Sequence, residues 1–293
     1  MPATPTQLTL SDGRSLDVYL AGPQTGTPLL FHIGTPGAGI PFAPFVESLS
    51  ERGLRYVSFS RPGYGSSTRR AGRDVADVVE DSAAVLDAIG AERCYVIGWS
   101  GGGPHALACA ARLPGVVAVA TIGGVAPYPA DGLDWTAGMG AENVEEFEAA
   151  LAGPTELIAF KERAAPVFRA VTPDEVADAF GDLIDDVDRG SLTGAFAIWM
   201  AEQFHEALRV GYWGWFDDDL AFAKPWGFSL DEVSVPAFVW QGAHDRMVPY
   251  AHGEWLVDHI PSARPRLLPE HGHLSLALDS VPWILDDLLT EGR

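Results

Sequence analysis

The run Gly98-Trp99-Ser100-Gly101-Gly102 constrains this chain more than any other segment. It reads G-x-S-x-G, follows the apolar run Cys94-Tyr95-Val96-Ile97, and precedes the helix-forming stretch Pro104 to Arg112 (PHALACAAR). A strand, a sharp turn and a helix in that order put the serine on strained backbone with its hydroxyl exposed. The flanking glycines leave room there for the neighbouring chain. Ser100 is therefore the candidate nucleophile. In a chain with 32 glycines, a plain glycine-rich strand-to-helix turn is the competing reading.

The segments around this turn alternate between strand and helix. Gln7 to Ala21 alternates about Ser11-Asp12-Gly13-Arg14 and predicts an edge hairpin. Pro28 to His32 reads as a buried strand ending in a loop rich in glycine and proline, Ile33 to Gly39. A helix over Ala43 to Arg52, closed by Gly53, leads to a strand over Arg55 to Ser60 and the loop Arg61-Pro62-Gly63-Tyr64-Gly65-Ser66. Apolar spacing predicts an amphipathic helix from Val75 to Ile89, stopped by Gly90. Val116 to Ile122 is a further buried strand. Such alternation predicts an α/β fold with a mostly parallel sheet and helices on both faces. Ligands bind such sheets at the carboxyl ends of the strands, where the glycine-rich loops fall.

The middle of the chain lacks strand-like runs. Helical acidic stretches take over, among them Ala141 to Ala152 and Pro173 to Asp188, with the aromatics Trp135, Trp199, Phe204, Trp213, Trp215, Phe216, Phe222, Trp226 and Phe228. We read residues 127–232 as a helical cap inserted between two parts of the core, 1–126 and 233–293. Most of these aromatics are expected to glue the cap to itself, and two or three to face Ser100 and form an apolar pocket. The sheet pattern resumes with Ala237 to Trp240, then a helix over Tyr250 to His259, a strand over Arg264 to Leu268, the loop Glu270-His271-Gly272-His273, and a closing helix over Val281 to Leu289.

A serine hydroxyl needs a base to take its proton, and that base needs an orienting carboxylate. Both should lie in strand-end loops after Ser100, acid first and histidine second. Asp245, in GAHDRMVP, and His273, in EHGHLSL, meet that order. Asp131 and Asp134 compete for the acid role and His271 for the base. Asp245 could also simply cap the helix after Val248-Pro249. His244, His252 and His259 read as solvent-facing or helix-packing residues, and His32 as a structural hydrogen-bond partner. Acyl transfer also needs donors for the developing oxyanion. The Gly101 N–H just after the nucleophile is one candidate. The Thr35 N–H is the other, because Gly34 lets the chain turn and Pro36 has no N–H. Gly34 and Trp99 are candidate pocket residues.

Bulk properties narrow the function classes. The chain has 293 residues, 47% of them hydrophobic, enough for a large core. A net charge of −21 repels phosphate backbones, so nucleic acid is not an expected partner. Cys94 and Cys109 sit in apolar runs and read as core residues, not as a disulfide framework or a zinc site. No signal peptide or membrane span is expected, and a cytoplasmic location follows by default.

Five segments together resemble the α/β-hydrolase family. GWSGGGPHAL is similar to its nucleophile elbow, FHIGTPGAG to its oxyanion loop, RPGYGSS to its D-R-P-G-x-G-x-S loop, WQGAHDRMVP to its acid motif and GHLSL to its histidine motif. Two positions depart from the pattern: Ile33 stands at the family's histidine position before Gly34, and Ser60 where the family often has aspartate. The resemblance implies an eight-stranded sheet, a lid after the sixth strand and the triad Ser100, Asp245, His273. It implies a hydrolase without metal or organic cofactor, acting on an ester or related acyl bond, and Trp99 beside Ser100 with the tryptophan-rich cap points to a small to medium apolar substrate. An aminopeptidase or amidase is the alternative, in which cap carboxylates such as Glu142, Glu145, Glu146 or Glu202 would hold a substrate amine. Lactone or carbon–carbon bond hydrolysis and perhydrolase activity also remain open. The non-enzyme alternative is a hydrolase-fold ligand receptor.

Overall fold

A computed structural model describes residues 4–291. The chain begins with a hairpin of β1 (Thr6–Thr9) and β2 (Ser15–Ala21), turning at Asp12-Gly13. Then follow β3 (Thr27–His32), α1 (Ala43–Glu51), β4 (Leu54–Phe59), α2 (Val78–Ala88), β5 (Cys94–Trp99), α3 (Gly102–Arg112) and β6 (Val116–Ile122). Six helices intervene before the next strand: α4 (Ala141–Ala152), α5 (Pro154–Ala170), α6 (Val176–Ala179), α7 (Asp186–Ser191), α8 (Gly194–Ala207) and α9 (Trp213–Phe222). The chain closes with β7 (Ala237–Gly242), α10 (Tyr250–His259), β8 (Ala263–Leu268), α11 (His273–Asp279) and α12 (Val281–Thr290).

The eight strands form one sheet in the order β1-β2-β4-β3-β5-β6-β7-β8. β1 and β2 run antiparallel at one edge and β3 to β8 are mutually parallel. From β3 the chain first steps to one side, to β4, and then returns to the other side, to β5. That reversal opens a crevice beyond the carboxyl ends of β3 and β5. The two loops that leave those ends carry Gly34-Thr35 and Ser100.

Strand alternation builds two cores. Leu29, Tyr56, Ile97 and Phe238 point to one face and pack with α1 and α12. Their chain neighbours Leu30, Val57, Val96 and Val239 point to the other, against α2, α3 and α10. All six residues of β5 are buried, as expected of a central parallel strand covered on both faces.

Three local expectations need correction. Val75–Asp77 is a 3₁₀ turn leading into α2, which ends at Ala88. Pro173 to Asp188 is not one helix but α6, a 3₁₀ turn (Gly181–Leu183) and the start of α7. The break follows from Gly181, in left-handed backbone (φ 53), and from Asp185, whose side chain caps a new helix by accepting from the Val187 and Asp188 N–H groups. His273 is not in a loop; it is the first residue of α11.

Candidate active site

Ser100 is the one non-glycine residue with positive φ (55°) among the described residues. A left-handed L-residue costs about 1–2 kcal/mol. The turn is held by two backbone bonds: Ser100 N–H donates to Ile122 O (2.8 Å), and Gly103 N–H donates to Ser100 O (2.8 Å). The glycines are needed sterically. A Cβ at Gly98 would lie 2.3 Å from Gly102 O, and one at Gly102 would lie 2.0 Å from His32 O. Strand, turn and helix can come this close only without those side chains.

His273 and Asp245 meet in the buried core of the site. His273 Nδ1 lies 2.7 Å from Asp245 Oδ2, and both side chains are buried. Asp245 is itself fixed: its Oδ1 accepts from the Met247 and Val248 N–H groups (2.9 and 2.7 Å), and its Oδ2 also accepts from Gln241 Nε2 (3.0 Å). It therefore caps the following turn and bonds the histidine at once, so the two readings of Asp245 do not compete. Gly123 leaves the space for the pair, because a Cβ there would lie 2.8 Å from His273 Nδ1 and 3.0 Å from Asp245 Oδ2. Burial opposes a charge on His273, but the Asp245 carboxylate, its hydrogen bond and the charge of Asp188 outweigh it. The imidazole pKa is raised above 6.5. The bond to Asp245 occupies Nδ1 and leaves Nε2 as the free ring nitrogen. Ser100 and His273 line one cavity of about 110 Å³. Among the described residues no hydrogen bond joins the Ser100 and His273 side chains.

The loop after β3 is positioned by a buried ion pair. Arg61 is almost fully buried, and its Nη1 donates to Ile33 O (2.6 Å) while its Nη2 donates to Gly34 O (3.1 Å). With the Gly34 carbonyl turned toward Arg61, the N–H of the same peptide, that of Thr35, points the opposite way. Neither the Thr35 nor the Gly101 N–H has an acceptor among the described residues. The two residues are close: a Cβ on Gly101 would lie 2.5 Å from Thr35 Oγ1. Gly34, Thr35, Trp99, Ser100 and Gly101 all border the cavity.

Asp218, in α9, completes this arrangement. It lies 2.7 Å from Arg61 Nη2 and 2.6 Å from Arg73 Nη2, and it accepts from Thr35 Oγ1 (2.8 Å) and Tyr64 OH (2.8 Å). Burial alone would raise its pKa; the charges of Arg61 and Arg73, with His105, hold it well below the usual carboxylate range. Burial lowers His105 itself to about 4, so it is neutral at pH 7. A second carboxylate, Asp188 of α7, accepts from the N–H groups of His273 (2.7 Å), Leu274 (2.9 Å) and Ser275 (2.9 Å). It satisfies the open N-terminus of α11, where a negative charge is also favoured. Residue types and spacing gave no sign of either aspartate's role.

The far wall of the cavity comes from α4, α5, α8 and α9. Of the nine aromatics named from the sequence, Phe204, Trp215 and Phe222 reach it. Glu142 and Glu146 also line it, whereas Glu145 is exposed and paired with Arg163, and Glu202 is not in the lining. Glu146 accepts from Trp215 Nε1 (2.5 Å) and pairs with the fully buried Lys161 (2.5 Å), which also pairs with Asp219. Burial, then the neighbouring Glu146 charge, pushes Asp219 well above the usual carboxylate range.

The rival residues lie elsewhere. Neither Asp131 nor Asp134 borders the cavity. His271 lies 3.9 Å from Asp279, outside the lining. His252 is buried and bonded to Ala126 N and Trp135 O; His244 pairs with Asp185; His259 stacks on Trp255 with ring centroids 3.7 Å apart. His32 Nε2 lies 3.5 Å from Cys109 Sγ. Cys94 and Cys109 are buried and unbridged, and burial pushes both thiols up to about 12. Among the described residues no cluster of three or more His, Cys, Asp or Glu side chains is arranged to hold a metal ion. Among the described residues no helix is long and apolar enough to cross a membrane.

The family comparison agrees with this fold. The model of the alpha/beta hydrolase fold matches residues 27–279, and the chain belongs to that family. Over 280 residues, 94% of this chain and 95% of the other, it is 26% identical to a non-heme haloperoxidase of Rhodococcus erythropolis. Over 259 residues, 86% of each chain, it is 27% identical to the putative carbamate hydrolase RutD of Variovorax paradoxus. An esterase from Exiguobacterium antarcticum has the same fold, with a TM-score of 0.70 over 98% of both chains at 20% identity. The chain is thus an alpha/beta hydrolase.

Removing the guanidinium of Arg61 tests the buried pair. Arg61→Met is expected to cost about 3–5 kcal/mol of stability, because Asp218 loses its best-matched partner without leaving the interior. Denaturant unfolding measures this, and a loss under about 1 kcal/mol would mean that Arg73 and His105 suffice.

Proposed function

We propose that this chain is a serine hydrolase that cleaves a carboxylic ester, or a related acyl bond, through Ser100, His273 and Asp245. One observation supports this above the others: the strained Ser100 opens onto the same cavity as the buried His273–Asp245 pair. The Ser100 hydroxyl attacks the acyl carbon while His273 Nε2 takes its proton. The Thr35 and Gly101 N–H groups receive the developing oxyanion. His273 then hands the proton to the leaving alcohol, which departs and leaves an acyl group on Ser100. Water, deprotonated by the same imidazole, attacks that ester, and the imidazolium returns the proton to Ser100 Oγ as the acid leaves. Asp245 keeps the imidazole in one orientation and stabilises its charged form. The reaction needs no metal or organic cofactor, and residues 127–232 act as a cap over the site. A cavity of about 110 Å³ favours a short acyl group.

Ser100→Ala is expected to lower kcat toward p-nitrophenyl acetate by about 10⁶-fold with the fold retained. A variant with near wild-type turnover would sink the assignment. The raised His273 pKa sets the sign of the pH dependence. The base works only when neutral, so kcat/KM falls on the acid side with a midpoint above pH 6.5. Asp245→Asn should move that midpoint down and lower kcat by about 10⁴-fold. A midpoint that ignores Asp245 would separate it from the base. The same raised pKa stabilises the folded state fully below pH 6.5, and this contribution fades as the pH rises through the folded-state value.

Glu142 and Glu146 in the lining favour a second reading, an amidase for substrates with an ammonium group, although Lys161 offsets part of that charge. The two readings part on substrates. The esterase reading expects p-nitrophenyl butyrate to be turned over faster than an aminoacyl p-nitroanilide; the reverse order supports the amidase. Ligand-induced stabilisation without product from either would instead indicate a receptor.

A further inference from the structure

Among the described residues, the cavity at Ser100 is not the largest. A chamber of about 340 Å³ lies beside it, against about 110 Å³ for the cavity at Ser100. Small-molecule sites commonly span about 300–1,000 Å³, so the chamber is large enough to be one. Its floor is the sheet itself, with Phe31, Tyr56, Ile97 and Trp99 from three adjacent strands. Its walls come from α1 (Phe45, Ser48), α8 (Phe196, Trp199) and the junction of α11 with α12 (Leu278, Val281). Pro44, Asp279 and Pro282 at its rim are exposed, so it opens to solvent. The two cavities have a single lining residue in common, Trp99. Trp99 stacks on His273 (centroids 5.7 Å, 30°) and on Trp199 (6.1 Å, 19°). It is a partition braced by aromatic rings on two sides.

We propose that this chamber is a second binding site, separate from the cavity at Ser100, for an uncharged one- or two-ring aromatic molecule that carries a hydroxyl at its mouth. Three observations select that chemistry. Aromatic rings line it from the sheet, α1 and α8, and flat rings pack on such walls edge-on or offset. The phenol of Tyr56 is already satisfied by donating to Gly39 O (3.1 Å), so it makes no polar demand on an occupant, and most of the remaining lining is apolar. The lone ionisable acid or base in the lining, other than Tyr56, is the exposed Asp279 carboxylate at the rim. It accepts a hydrogen bond from a hydroxyl and repels a carboxylate, and the net charge of −21 repels anions further. A fatty acid is therefore a poor occupant. The ligand would rest on Trp99 and on α11, the helix that begins with His273.

Calorimetric titration with 2-naphthol, and with 2-naphthoate as its anionic match in shape, tests this without any turnover. One 2-naphthol is expected to bind per chain, with 2-naphthoate weaker by about tenfold or more. Ser48→Trp fills the chamber from α1, and Pro44→Trp narrows its exposed mouth. Each should weaken 2-naphthol by about tenfold or more while the unfolding midpoint stays near wild type. Ser100→Ala should leave its affinity unchanged. No binding up to the solubility limit, equal affinity for the two probes, or undiminished binding in both filled variants would overturn the proposal. Because the readout is heat, failure of Ser100 chemistry and failure of the chamber are distinguishable.

Discussion

The ion pair of Arg61 with Asp218 ties together three segments that lie far apart in the chain. Arg61 follows β4, Asp218 belongs to α9, and between them they hold Ile33, Gly34 and Thr35 of the loop after β3. Two buried charges are costly unless nearly every polar atom is matched. Here the matching is dense: Arg61 donates to two carbonyls and to Thr35 Oγ1, while Asp218 meets Arg73, Tyr64 and His105 as well. The interaction matters less for its net energy than for direction. It orients the Gly34–Thr35 peptide and thereby the N–H next to Gly101.

Asp188 does for the histidine what Asp218 does for that loop. Both carboxylates are buried and both come from the helices between β6 and β7. One caps the helix that begins at His273; the other fixes the loop beside Ser100. Two of the six intervening helices, α7 and α9, are therefore joined to the carboxyl end of the sheet by charge and hydrogen bonds, not by apolar contact alone. A displacement of α7 or α9 would disturb His273 or the loop at Thr35 directly. This couples the wall of the cavity to the groups that face it.

Much of this was legible in the sequence where the determinants are local. Val116 to Ile122 is a strand with the bounds its apolar run suggests, because a central parallel strand must be apolar on both faces. Ser100 was legible because close backbone approach demands glycine at Gly98 and Gly102. The unread parts depend on partners distant in sequence. Asp188 and Asp218 are two among 40 acidic residues, and nothing local separates them from those that face water. The break between α6 and α7 turned on one glycine and one capping aspartate inside an otherwise helix-compatible stretch. Phe147, Phe168 and Phe180 join the cavity wall although none was singled out, since helical aromatic spacing does not say which face turns inward. The chamber behind Trp99 could not be read at all, because its lining comes from strands and helices spread across the whole chain.

The proposed hydrolysis depends above all on activation of Ser100 by His273. Labelling with a fluorophosphonate probe, followed by peptide mass spectrometry on wild type and on His273→Ala, tests it most directly. A single adduct on Ser100 is expected in wild type, and its loss in the folded variant. An adduct on another residue, labelling that survives without His273, or no adduct on a folded wild-type chain would contradict it.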